Sequence, residues 1–116
     1  MATFGGFNHP WHIAIAPDNS FALVANYGGN NVGRIDLRTH AISFPYAGFL
    51  YPMGIAIAPD ASFALVANAG GSNVGRIDLL LGTGATGAAV TFPYAGHPGC
   101  SGLALAHDSS FMLVAH

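Results

Sequence analysis

Residues 13–37 read IAIAPDNSFALVANYGGNNVGRIDL, and residues 55–79 read IAIAPDASFALVANAGGSNVGRIDL, so 22 of 25 aligned positions are identical. A third, shorter copy begins at Leu103 as LALAHDSSFMLVAH. The first two copies are offset by 42 residues and the third follows after 48. A period of about forty residues indicates a repeat architecture, in which each copy forms one supersecondary unit.

Each repeat has the pattern of four short β-strands. In the first copy these are strand A at 13–16, strand B at 21–26, strand C at 32–37 and strand D at 41–46. Strand A is an apolar run without a polar face, which predicts that it is the most buried strand. Strand D contains Pro45, which lacks an N–H donor and is tolerated mainly on an edge strand. Four antiparallel strands in this order predict a β-propeller blade and an all-β fold.

The connections between the strands also favour this prediction. Asp18, Asn19 and Ser20 form a turn between strands A and B, because short polar side chains bond their own backbone there. Residues 28–31 form a second turn, in which the glycines are expected to adopt positive φ. A helical array such as HEAT or armadillo repeats has a similar period. It is excluded because Gly or Pro occurs every few residues and no ten-residue run has helical apolar spacing.

The repeat resembles those of NHL and YVTN-type β-propellers. The resemblance lies in GIAIAPD at 54–60, SFALVAN at 62–68 and NVGRIDL at 73–79, and it extends over nearly the whole chain. It implies a propeller fold. It does not select a function, because such propellers serve as protein or RNA scaffolds, as lyases and, in related folds, as lactonases.

The strand pattern predicts one partial propeller domain over residues 1–116. Residues 1–8 form the end of a preceding D strand, 9–50 the first blade, 51–98 the second blade and 99–116 strands A and B of a third. Closed propellers have four to eight blades. Two interpretations follow: a fragment of a longer propeller, or chains that associate head to tail so that two copies form a six-bladed ring.

Composition limits the possible partners. The 116 residues include three Arg, five Asp, no Lys and no Glu, for a net charge of −2. Because there is no basic stripe, nucleic-acid binding is not expected. No apolar run is long enough to span a membrane, and the first residues do not resemble a secretory leader. The single Cys100 is expected to be an unreactive thiol, and the compartment stays unknown.

Candidate binding residues follow from the resemblance, which implies that the D-to-A and B-to-C connections surround the mouth of the central channel. Side chains there vary where the scaffold repeats, which suits contact with a protein or small-molecule ligand of unknown identity. The candidates are His9, Trp11, His12, Asn26, Tyr27, Asn30, Tyr51, Met53, Asn68, His97 and His116.

No catalytic residue, metal ligand or cofactor site is predicted. Asp18, Asp60 and Asp108 recur in the A-to-B turns, and Asp36 and Asp78 recur on strand C, so no carboxylate breaks the repeat. His9 and His12 have a metal-like spacing, but in an extended segment it places them on opposite sides. The predicted function is therefore a non-catalytic binding or scaffold module. The alternatives are a fragment of a metal-dependent lactonase- or esterase-like propeller hydrolase, and a truncated propeller without independent function.

Overall fold

The computed structural model of the chain describes residues 5–79, 90–97, 99–106 and 112–115. Within these ranges the chain forms short β-strands joined by turns. The strands are β1 (Pro10–Ile15), β2 (Phe21–Asn26), β3 (Asn31–Asp36), β4 (Ile42–Ala47), β5 (Pro52–Ile57), β6 (Phe63–Asn68), β7 (Asn73–Asp78), β8 (Val90–Ala95), β9 (Gly102–Leu105) and β10 (Met112–Ala115).

The strands pair in chain order into antiparallel sheets. One four-stranded sheet has the order β1-β2-β3-β4, a second has the order β5-β6-β7-β8, and β9 pairs with β10. We call these sheets blades 1, 2 and 3. Both full blades share one register, since Phe21 pairs with Asp36 as Phe63 pairs with Asp78. The predicted all-β class and incomplete propeller are confirmed, and strand D lies at the edge as expected.

The two turns of each blade differ in how well the sequence predicts them. In the A-to-B turn the Asp18 carboxylate accepts hydrogen bonds from the Ser20 N–H (3.0 Å) and hydroxyl (2.6 Å), as predicted. The B-to-C connection is a 3₁₀ turn at Tyr27–Gly29, and its left-handed residue is Asn30 (φ 57°). The expectation that glycines adopt positive φ there is wrong. Gly29 is needed for space instead, because a Cβ at this position would collide with the Asn26 amide.

The prediction that strand A is the most buried strand is also wrong. Every residue of β2 is buried, whereas most of β1 is exposed: Ile13 is 56% and Ile15 is 58% exposed. The cause is the neighbouring blade and not the position in the sheet, because β1 and β5 are both edge strands of their sheets but only β5 has a blade packed on its front side. In blade 2 the equivalent Ile55 is only 3% exposed, because blade 1 packs on it.

The main core lies between blades 1 and 2. We call the face of blade 1 that carries Leu23 its back face and the face of blade 2 that carries Ile55 its front face, and use the same terms for every blade. The two faces form one cluster, and its buried members are Ala16, Phe21, Leu23, Ala25, Val32 and Tyr46 from blade 1 and Phe49, Ile55, Ala64, Val66 and Ile77 from or beside blade 2. The innermost strands β1, β5 and β9 lie next to one another in that order. This stacking brings the connections at one end of the blades onto a common surface.

A membrane-spanning helix is not found in the described ranges, where the only helical elements are two three-residue 3₁₀ turns.

Candidate binding surface

The D-to-A segments and B-to-C turns lie side by side at one end of the blades. The Gly28 N–H donates to the Asn8 carbonyl oxygen (2.9 Å), and the Gly70 N–H donates to the Leu50 carbonyl oxygen (2.8 Å). These bonds are equivalent in blades 1 and 2, since both partners are offset by 42 residues. We call this end, made of residues 7–11, 26–31, 48–53, 68–73, 96–97 and 99–101, the mouth surface.

Three aromatic side chains form a stack on the mouth surface. The Trp11 and Tyr27 ring centroids are 5.7 Å apart with the planes 33° apart, and the Tyr27 and Tyr51 centroids are 5.0 Å apart with the planes 28° apart. The first pair is tilted and the second is stacked, and aromatic pairs at this spacing are favourable beyond the area that they bury. The outer rings are open to solvent, with Trp11 59% and Tyr51 45% exposed. The stack therefore presents two free aromatic ends to a ligand.

The backbone at Tyr51 holds its ring in the stack. Tyr51 has a φ of 55°, a left-handed conformation that is unfavourable for a bulky side chain. Its N–H donates to the Asn30 side-chain oxygen at 3.0 Å, which links the D-to-A segment to the B-to-C turn of blade 1. Asn30 therefore positions Tyr51.

The stack coincides with the places where the two long repeats differ. Only three positions differ between residues 13–37 and 55–79, at Asn19, Tyr27 and Asn30 in the first copy. Two of them, Tyr27 and Asn30, contact Tyr51. The difference between the repeats is thus concentrated in one small cluster. The sequence shows that these positions differ, but it does not show that the side chains are in contact.

Two predicted candidates, Asn26 and Asn68, serve the fold. They are 4% and 3% exposed. The Asn26 side-chain oxygen accepts from the Asn8 N–H (2.6 Å), and its amide nitrogen donates to the Asn31 side-chain oxygen (2.7 Å). Asn68 makes the equivalent bonds in blade 2. Each amide ties the incoming segment to the following strand. Sequence analysis did not single out Asn8, because only the folded structure shows that its N–H lies next to the Asn26 side chain.

The remaining candidates, His9, His12, Met53 and His97, each have their own surroundings. His12 Nδ1 accepts a hydrogen bond from the Ile55 N–H (3.1 Å) and so joins the innermost strands of blades 1 and 2. His9 Nδ1 lies 2.9 Å from the Asn8 side-chain oxygen. Met53 is half-buried in β5, and the His97 N–H donates to the Ser72 carbonyl oxygen (2.9 Å). His116 lies outside the described residues.

Cys100 is buried beneath this surface. Its thiol donates to the Asn73 carbonyl oxygen at 3.3 Å. Burial raises the pKa of the Cys100 thiol, since the charged thiolate is disfavoured away from water. The residue therefore stays a neutral thiol near pH 7.

Charged side chains lie at the other end of the blades or on the back faces. Hydrogen bonds from the Ser20 hydroxyl and N–H lower the pKa of the Asp18 carboxyl, and Ser62 lowers that of Asp60 in the same way. Arg34 lies 3.8 Å from the centre of the Phe21 ring on the back face. Asp108 lies outside the described residues. Among the described residues, no group of three His, Cys, Asp or Glu side chains is arranged to hold a metal ion.

Comparison with known proteins identifies a fold and no family. No protein-family model and no curated protein matches the chain. Among solved structures, it is similar to Kuenenia stuttgartiensis hydrazine synthase, with a TM-score of 0.79 and 24% identity over 99% of this chain. It is also similar to a functionally unknown protein from Desulfotomaculum acetoxidans, with a TM-score of 0.77 and 21% identity over 99% of this chain. The chain spans 31% and 37% of those proteins. The likeness shows that the fold of this chain is shared with parts of larger proteins, in agreement with an incomplete propeller.

Proposed function

We propose that the chain is a non-catalytic binding module of the NHL/YVTN-like propeller type, and that its mouth surface binds a polypeptide partner through the aromatic stack. The observation that carries the proposal is the stack of Trp11, Tyr27 and Tyr51, which comes from three separate segments and is open at both ends. Exposed aromatic side chains at a centre of convergent loops are typical of binding surfaces.

The repeat supports a role for these rings beyond folding. Tyr27 occupies the position of Ala69 in blade 2, and the two B-to-C turns have the same backbone, with left-handed residues at φ 57° and 56°. The turn therefore forms without the tyrosine. Tyr51 occupies the position of His9 and of Gly99, and φ is 50° at His9 and 68° at Gly99. The left-handed conformation therefore belongs to the repeat, and at this position in blade 2 it carries an aromatic ring beside Tyr27.

The chemistry of the surface favours a polypeptide. The mouth surface carries aromatic, amide, methionine and histidine side chains, and the described part of it contains no Asp or Arg. Cores of protein interfaces are enriched in Trp, Tyr and Met and depleted of acidic residues and lysine. A rigid aromatic ring also provides contact area with little loss of conformational entropy. The surface therefore suits a partner that presents apolar side chains.

Trp11 provides a local probe for the test, because it is the only tryptophan of the chain. A library of random displayed peptides is selected on the immobilised chain, and the enriched peptides are titrated while Trp11 fluorescence is recorded. We expect binding to change the emission. Tyr27→Ala should weaken binding by at least about tenfold, as expected when a central aromatic residue is truncated.

Asn19→Ala is the matched control. Like Tyr27→Ala, it replaces a residue of the first repeat by its counterpart in the second, but it lies in the A-to-B turn at the opposite end of blade 1. This control should bind the peptides as tightly as the unaltered chain. The proposal is wrong if no peptide is enriched, or if the peptides bind Tyr27→Ala and the control equally without changing Trp11 emission.

A further inference from the structure

Apolar side chains are exposed on two sheet faces at opposite ends of the row of blades. On the front face of blade 1, Ala22, Val24 and Ile35 are buried beside Phe7, and the exposed part is formed by β1 and β4. In this part, Ile13 and Ile15 are more than half exposed and Phe44 is 41% exposed. On the back face of blade 3, Leu113 is 63% exposed, and Ala104 and Ala115 are also exposed. Apolar side chains exposed together on one face can mark an interaction site.

The contact between blades 1 and 2 shows what each of these faces packs against. There Leu23 from a back face packs in one cluster with Ile55 from a front face, and both are almost fully buried. By the repeat, Leu113 occupies the position of Leu23, and Ile13 occupies the position of Ile55. The chain therefore carries, on two separate surfaces, both halves of an interface that it already forms internally.

We propose that two copies of this chain associate head to tail, with the back face of blade 3 of each copy packed on the front face of blade 1 of the other. A head-to-tail contact closes into a ring only when its rotation fits, and the proposal is the closed pair, in which both contacts are used. This inference concerns a different surface from the mouth surface and does not depend on the proposed peptide binding.

Blade 3 contains the two strands that correspond to those making the internal contact. In the internal contact, the innermost strands β1 and β2 of blade 1 lie against β5 of blade 2. The corresponding strands of blade 3 are β9 and β10. Around them lies an open hollow of ≈ 330 Å³, lined in part by Ala104, Leu113 and Ala115. The lining is apolar, and the proposed contact places the exposed Ile13 and Ile15 of a second copy against it.

The test is the mass of the full 116-residue chain in solution, measured by light scattering after size exclusion over a wide range of concentrations. We expect a dimer that dissociates on dilution. Leu113→Asp and Ile13→Asp each place a charge in the proposed contact, where it loses its hydration without a partner, so each should weaken dimerisation by at least about tenfold. Both positions are exposed in the single chain, so the fold should be kept, and circular dichroism checks this.

Mixing the two variants distinguishes a head-to-tail contact from other kinds. The Leu113→Asp chain keeps an intact front face and the Ile13→Asp chain keeps an intact back face. The mixture should therefore form a heterodimer through this one unaltered contact, at concentrations where each variant alone is monomeric. Ala61→Asp adds the same charge in an A-to-B turn, outside both faces, and should dimerise like the unaltered chain. A monomer at every concentration, an open-ended polymer, or variants that fail to complement each other would overturn the proposal.

Discussion

Truncation of the same isoleucine in the two long repeats tests whether the blades pack as described. Ile13 and Ile55 occupy equivalent positions and are followed by the same five residues, but Ile13 is 56% exposed and Ile55 is 3% exposed. The difference arises because blade 1 covers the front face of blade 2. We compare Ile13→Ala with Ile55→Ala.

The expected losses follow from burial. Each substitution removes three carbon atoms, and a buried methylene contributes about 0.8 kcal/mol. At Ile55 the transfer loss and the resulting cavity together give about 3 kcal/mol, within the usual range for a buried Ile→Ala change. At Ile13 less than half of the side chain is buried and no enclosed cavity forms, so the expected loss is about 1 kcal/mol.

Urea unfolding followed by far-UV circular dichroism measures both losses. The chains are compared at a dilution where light scattering gives the monomer mass, because Ile13 lies in the proposed contact between copies. The m-values should agree, so that the midpoints report free energies of unfolding. Equal losses for the two variants, within about 0.5 kcal/mol, would refute the packing of blade 1 on blade 2.

Three further predictions concern the supports of the blades. Asn68→Ala removes a nearly buried side chain that accepts from the Leu50 N–H in a part-buried hydrogen bond, and we expect a loss of about 1–3 kcal/mol in urea unfolding. Gly75→Ala should lose about 1–3 kcal/mol because its Cβ meets a buried ring at 2.7 Å, whereas Gly33→Ala should lose less, since the ring above it is only half-buried near the chain terminus. Hydrogen bonds from Ser62 lower the pKa of the Asp60 carboxyl in the folded chain. Their contribution to the free energy of unfolding is therefore present above the unfolded-state pKa and is lost as the pH falls through the folded-state pKa. The difference in urea midpoint between Ser62→Ala and the unaltered chain should therefore shrink as the pH is lowered from neutral to below about 4, and a constant difference would contradict this cause.

Much of each blade could be predicted from the sequence because its determinants are local. The A-to-B turn depends on an aspartate and a serine two residues apart, and the structure has that contact at Asp18 and Ser20. Strand B is predicted to the residue, since its apolar run is bounded by polar turns. The burial of strand A could not be predicted from its composition. It depends on whether a blade packs on it, and the same Ile-Ala-Ile sequence is largely exposed in β1 and more buried in β5.

For the candidate site, too, the sequence predicts some features and only the structure shows the others. The sequence marks Trp11, Tyr27 and Tyr51 as variable positions in a conserved frame of repeats, but their separation along the chain says nothing about contact. The structure brings them together because stacking of the blades places the D-to-A segment of one blade beside the B-to-C turn of the preceding one. It also separates them from Asn26 and Asn68, whose amides are buried in bonds to the backbone and to neighbouring side chains.

The sequence by itself determined the repeat, the strands and the turns, because these follow from side-chain alternation and from hydrogen bonds between close neighbours along the chain. Only the tertiary structure decided which faces are covered and which side chains converge on the mouth surface. The physical reason is that burial and stacking depend on contacts between blades, which lie about forty residues apart in the chain and meet only when the sheets pack.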